Sequence, residues 1–186
     1  MDTGNENACR DALIPFAKSL IGNSNLVFNK AEYTNDVGRV DLILVVEPKE
    51  THFDQQLLTT DKTVMVFEMK APNKFMYEFH SGANRFIPSK DLSLAETQLF
   101  SYTRRLDYEK LYLLKKYGAD QVKAGGIIIG RKSTMFKISA EDAKAFSAKD
   151  LEELKNNTLQ SRKRYLYDAA GIVIYNWDHI TDLVKS

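Results

Sequence analysis

Asp41, Glu68 and Lys70 stand where charge is costly: Asp41 lies in RVDLILVV, and Glu68 and Lys70 lie in VFEMK, segments that are otherwise strongly apolar. An ionised carboxylate among such neighbours needs an opposite charge or a metal. Glu68 and Lys70 are two positions apart, so in a strand they project from one face while Met69 points to the other. If the Asp41 strand pairs alongside, two carboxylates and an amine converge. Together with the Met69 carbonyl, the carboxylates form a set of hard oxygen ligands suited to Mg²⁺, with Mn²⁺ able to substitute. Such a cation lowers the pKa of water and stabilises negative charge developing on a phosphodiester, with Lys70 orienting or deprotonating the attacking water. The reaction this predicts is phosphodiester hydrolysis. The Glu-x-Lys tripeptide alone more often means an exposed strand face carrying a cross-strand ion pair. The Asp that follows Gly38–Arg39 and the Ala71–Pro72 pair after the lysine favour chemistry.

The elements that must position these groups follow from periodicity. Leu13, Ile14, Phe16, Ala17, Leu20 and Ile21 predict a first helix over 7–21, stopped by Gly22–Asn23. LVFNKAEY and RVDLILVV predict an antiparallel hairpin with TNDVG as its turn. The polar stretch Glu47 to Lys62 is long for a connection, which makes it mobile or functional. TVMVFEMK predicts a central strand that ends where Pro72 forbids further ladder bonding.

Residues 73–90, with Phe75, Tyr77, Phe79 and Phe86, read as irregular: a lid, a partner surface or a covered loop. Ser93, with Glu96 three positions on, predicts the cap of a helix that runs to Gly118 with a break near Asp107. AGGIIIG predicts the next strand, 140–166 a charged helix, and GIVIYNW a last strand before a short helix opened by Asp178–His179. A helix between VMVFEMK and GIIIG is the signature of a parallel crossover. The expectation is a single α/β domain over residues 1–186, with a mixed central sheet flanked by helices.

Composition narrows the field. A single cysteine, Cys9, rules out an intramolecular disulfide, and scattered His52, His80 and His179 do not make a zinc site with it. No apolar run approaches the roughly 20 residues of a membrane span. The N-terminus MDTGNENACRDA lacks the basic start and apolar centre of a secretory signal, so a soluble cytoplasmic protein is expected. Net charge is +1, so any nucleic-acid binding must rest on local patches. Arg104–Arg105 with Lys110, Lys115–Lys116, Arg131–Lys132 and Arg162–Lys163–Arg164 are the candidates.

GRVDLILVV, VMVFEMKAPN and a helix containing Gln98-Leu99-Phe100-Ser101-Tyr102 together resemble the PD-(D/E)XK nuclease superfamily. Within it, FEMKAPN, LSLAETQLFSYTRRL, GGIIIGRK and IVIYNWDHITDL resemble the nuclease domain of the Shedu antiphage-defence family, over roughly Val37 to Leu183. The resemblance implies a restriction-endonuclease-like fold and a Mg²⁺-dependent DNA endonuclease, with a role in defence against foreign DNA. It implies Asp41, Glu68, Lys70 and Gln98 as the catalytic set, with Asp41, Glu68 and Met69 on the metal. Gln98 and Tyr102 lie one helical turn apart and face the same way. In the superfamily that spacing sits beside the active site, against metal-bound water or the nucleic-acid backbone.

Tyr102, Arg104, Arg105, Lys74 and Arg131 are then the candidates for nucleic-acid contact, and such phosphate contacts imply no base specificity. A further acidic residue often assists in the superfamily; Glu32, Asp36 and Asp11 are the candidates. Two departures matter. Shedu proteins usually carry an additional N-terminal sensing region, and there is little room for one here, which points to a stand-alone domain, a truncated chain or a relative with another role. Val40 also replaces the proline of the P-D dipeptide, as is common in the superfamily.

A competing expectation is a catalytically inactive nucleic-acid-binding or assembly module on the same fold. A third is a structural protein whose charges pair on an edge strand. A homo-oligomer, a dimer for instance, suits a cutter of two strands, and the aromatic 75–86 segment is compatible with such an interface.

Overall fold

The computed structural model describes residues 5–22, 24–35, 38–47 and 62–185. The chain opens with α1 (Glu6–Leu13), whose first amides are capped by the Asn5 side chain. At Pro15, which has no amide to give, the α-helical ladder yields to a tighter 3₁₀ run over Ile14–Leu20, so the predicted helix is realised as two pieces. Strands β1 (Asn25–Asn35) and β2 (Gly38–Glu47) form the expected antiparallel hairpin, with Tyr33 opposite Val40. Most of the predicted long connection, 48–61, lies outside the described residues, as does Asp36. Strand β3 (Lys62–Met69) pairs antiparallel with β2, with Leu42 opposite Phe67.

The 73–90 segment is a correction to the sequence reading. Instead of irregular chain it holds a hairpin, β4 (Tyr77–His80) and β5 (Arg85–Pro88), turned by a 3₁₀ element over Ser81–Ala83. Its aromatic residues point inward: Tyr77 stacks on Phe136, while Phe79 and Phe136 each meet Phe86 edge-on. Helix α2 (Lys90–Tyr108) begins at Ser89, not Ser93. The buried Ser89 hydroxyl accepts from the Leu92 amide at 3.1 Å and donates to the Phe75 carbonyl at 2.5 Å, a tertiary tie that the exposed Ser93 cannot offer. The expected break falls at Glu109, before α3 (Lys110–Tyr117), and Gly118 closes that helix with φ +66°.

Strand β6 (Ala119–Ile128) then runs parallel to β3, completing the predicted crossover. A short β7 (Phe136–Lys137) joins the β4–β5 hairpin. Helices α4 (Ala140–Ala143) and α5 (Ala148–Arg162) follow, and α5 widens into a π-helical turn over Lys163–Tyr167 before α6 (Asp168–Ala170). Strand β8 (Val173–Tyr175) pairs parallel with β6, and α7 (Trp177–Lys185) ends the described chain.

The protein is therefore α/β, with a mixed central sheet in the order β1-β2-β3-β6-β8 and flanking helices. Val40 to Val46 are all buried, as expected of a strand covered on both faces. On one face Ile43, Val45, Val64 and Val66 pack with Leu92, Ala95 and Leu99 of α2. On the other, Leu42, Leu44, Phe67 and Met69 pack with Cys9 and Leu13 of α1 and Trp177 of α7. Among the described residues, no helix is long and apolar enough to cross a membrane.

Candidate functional site

The carboxylates meet where β2 and β3 run together. Leu42 opposite Phe67 is the last paired rung of their ladder, so Asp41 and Glu68 fall one step beyond it. Asp41 Oδ2 accepts a hydrogen bond from the Met69 amide at 2.8 Å, and Lys70 Nζ donates to Glu68 Oε1 at 2.6 Å. Asp41, Glu68 and Lys70 are all buried, at 6%, 1% and 8% exposure. The Met69 side chain packs beneath the sheet with Phe67 and Leu42.

The Lys70 backbone is clamped on both sides. Its amide donates to the Ile128 carbonyl at 2.8 Å, and its carbonyl accepts from the indole of buried Trp177 at 2.7 Å. Trp177 in turn gives its own amide to the Gly130 carbonyl. Gly130 sits at φ +62°, and a Cβ there would lie 2.5 Å from the Lys74 carbonyl. Glycine is thus required where the chain leaving β6 passes under the loop that leaves Lys70.

Charge in this cluster is unbalanced. Burial, and then the neighbouring Asp41 carboxylate, push the Glu68 carboxyl up to about 8, and the Lys70 ammonium offsets only part of that rise. Burial opposes the Lys70 charge, but Glu68 together with Glu6 and Asp41 more than compensates, so its ammonium is held above the ordinary lysine value. Glu68 Oε2 is buried without a hydrogen-bond partner. An orphaned acceptor against a second carboxylate is relieved by a proton shared with Asp41 or by a divalent cation, so Asp41 and Glu68 fit such an ion. Among the described residues no group of three or more His, Cys, Asp or Glu is arranged to hold a metal.

A further acid reaches the cluster from α1. Glu6 is half-buried and its carboxyl is raised by burial, while the Lys70 charge and a hydrogen bond from the Ala71 amide pull it down and Asp41 pushes it up. The sequence reading starts the first helix at Asn7 and takes Asp11 as its acid, so Glu6 falls one residue outside. The available signal was helical phase: Glu6 precedes buried Cys9 and Leu13 by three and seven positions, placing a carboxylate on the inward stripe. Glu32 and Asp11 instead hold the buried Arg10 guanidinium, at 2.6 and 2.9 Å, and Glu32 also meets Arg39 at 3.1 Å.

The remaining candidates are spread around this centre. Tyr102 covers the start of β2, so closely that a Cβ on Gly38 would lie 3.0 Å from its ring. Gln98, one turn earlier on α2, buries its Oε1 without a partner. Lys74 pairs with Asp91 at 3.3 Å, Arg105 with Glu109 at 3.6 Å and Arg131 with Asp178 at 3.7 Å. Arg104 lies over the Tyr108 ring. A cavity of about 310 Å³ bordered by Tyr77, Tyr167, Ile172 and Ile174 includes none of the cluster residues. Ordinary ligand pockets are mostly apolar hollows of that kind, but the unbalanced charge lies elsewhere. No protein-family model matches the chain, and no curated protein matches it.

Proposed function

We propose that the chain is a divalent-cation-dependent DNA endonuclease on a restriction-endonuclease-like fold, with a role in defence against foreign DNA as the Shedu resemblance implies. The observation that carries this reading is the buried, unpartnered Glu68 Oε2 beside Asp41, with Lys70 Nζ 2.6 Å from the other oxygen. Asp41, Glu68 and the Met69 carbonyl would hold Mg²⁺, or Mn²⁺ in its place. When bound, the ion supplies Lewis-acid stabilisation of negative charge developing on the phosphate.

The protein's own groups do the rest. Lys70 Nζ, held 2.6 Å from Glu68 Oε1, is placed to orient or deprotonate the attacking water. Gln98 Oε1 offers an acceptor from α2, and Glu6 adds negative charge near Lys70 that helps keep the ammonium charged. Rigid support from Trp177 and Ile128 holds Lys70 in place, and misplacement by a fraction of an ångström is costly in rate.

The test is nicking of supercoiled plasmid by purified protein with Mg²⁺ or with EDTA. Wild type should nick only with the cation, and Lys70→Ala and Glu68→Ala should lose roughly a thousandfold or more while retaining their circular dichroism. Retained cleavage by either folded variant refutes the assignment. A second reading is favoured by one observation: with no three-carboxylate group among the described residues and Glu68 already bonded to Lys70, the fold also suits a binding module that has lost catalysis. That reading predicts DNA binding without nicking in any cation.

A further inference from the structure

The surface formed by the end of α2 and by α3 is unusual for an exposed helix. From Arg104 to Lys116 it carries five cations and two carboxylates. Both carboxylates are already paired, Asp107 with Lys110 at 3.0 Å and Glu109 with Arg105 at 3.6 Å. Arg104, Lys115 and Lys116 thus form no salt bridge with an acid among the described residues. Between these cations stand large apolar side chains with little cover: Tyr108 is 76% exposed and Leu111 84%, with Tyr112 and Leu114 about half exposed.

Cations and rings are matched. Arg104 lies 5.9 Å from the Tyr108 ring centre, and Lys116 lies 5.2, 5.1 and 5.8 Å from those of Tyr112, Tyr117 and Tyr33. Lys30 reaches the other approach to Tyr33 at 5.8 Å. The patch also connects to the carboxylate cluster. Tyr33 pairs across the hairpin with Val40, the residue before Asp41, and Tyr102 of α2 covers Gly38 on the same strand.

We propose that this surface is the track for a single-stranded stretch of nucleic acid, with Tyr108 and Tyr112 as stacking platforms and Arg104, Lys115 and Lys116 taking its phosphates. The proposal rests on the nuclease reading for the strand's course towards Asp41 and Glu68. A duplex asks only for phosphate contacts, because its bases are stacked on one another and offer no free faces. Exposed tyrosines interleaved with cations instead match the two demands of an unpaired strand, a charged groove and aromatic platforms. A second copy of this chain is disfavoured by charge, since a twofold contact would set the patch, cations included, against itself.

The test is fluorescence anisotropy in EDTA, using a labelled oligothymidylate of about 20 nucleotides, longer than the roughly 4–16 that a compact single-strand site covers. A duplex of the same length is the comparison. Wild type should bind the single strand about tenfold more tightly, and Tyr108→Ala/Tyr112→Ala should weaken that binding about tenfold or more, while Tyr108→Phe/Tyr112→Phe retains it. Lys115→Ala and Lys116→Ala should each lower the log–log salt slope by about 0.7. Equal or tighter duplex binding, or unchanged single-strand binding by the alanine pair, overturns the proposal. So does sedimentation showing an oligomer that the alanine pair dissolves, which would assign the patch to a second copy. Failure here is separable from failure of the nuclease reading: single-strand binding through the tyrosines without any nicking sinks only the latter, and nicking without such binding sinks only the track.

Discussion

Two clusters of buried or partly buried charge in this molecule differ in their balance. Glu96 of α2 accepts from the Arg162 guanidinium and, at 2.6 Å, from the Tyr167 hydroxyl, so one acid meets one cation and a neutral donor. Burial drives the Tyr167 hydroxyl far above its ordinary value, which keeps it a donor. Arg162 Nε lacks a partner, but net charge there is cancelled. Around Lys70, by contrast, Glu68 is paired with the ammonium, and Asp41 and Glu6 add further negative charge that it feels. Each side chain in the first cluster explains the others; the second has an excess of acid that only a proton or a cation relieves. Balance is the mark of a fastening, and surplus is the mark of a site.

The largest effect should come from breaking the balanced cluster. Glu96→Ala leaves Arg162 and Tyr167 without their acceptor and should cost about 2–3 kcal/mol, seen as a melting temperature lower by roughly 5–10 °C. A shift near zero would mean that the cluster fastens nothing.

Glu68→Gln should do the opposite in EDTA, raising stability by about 1 kcal/mol at pH 8. The sign follows from the raised carboxyl. Its ordinary value is 4.5 and its folded value about 8, so its contribution is complete below about 4.5 and is lost as pH rises through about 8. Melting curves between pH 5 and pH 8 should therefore show wild type falling relative to the variant. A wild type that gains on the variant as pH rises contradicts the surplus of acid.

Confined to metal binding is the effect expected of the helix-borne acid. Glu6→Gln should weaken Mn²⁺ binding roughly tenfold with little change in melting temperature, as for groups that support a metal from behind its ligands. Glu32→Gln should leave Mn²⁺ binding alone and cost only about 1 kcal/mol of stability through Arg10. The reverse pattern, measured by titration and thermal melting, would transfer the supporting role to Glu32.

The difference between the clusters also explains what the sequence disclosed. Asp41, Glu68 and Lys70 were legible because charges inside apolar strands violate local expectation, and the period of a strand fixes which of them share a face. The β3–α2–α3–β6 crossover was legible for a similar reason: helical and strand periods are local. Glu6 was hidden because its partners are 35 and 64 positions away, at Asp41 and Lys70, and only the helix phase relates them. The start of α2 was misread because Ser89 and Ser93 both satisfy local capping rules, and contacts from Phe75 and Met76 decide between them. The β4–β5 hairpin escaped notice since its second strand ends in Pro88 and its pairing with β7 joins segments far apart in the chain. The Glu96–Arg162–Tyr167 fastening was unreadable in principle from periodicity, because a π-helical turn shifts the phase of the very residues involved.

Calorimetric titration of the purified protein with Mn²⁺ addresses the acid surplus directly. Wild type should give a saturable heat that disappears in Asp41→Asn and Glu68→Gln and persists in Glu96→Ala wherever that variant remains folded. Heat that survives in both carboxylate variants, or none in wild type, would contradict the account.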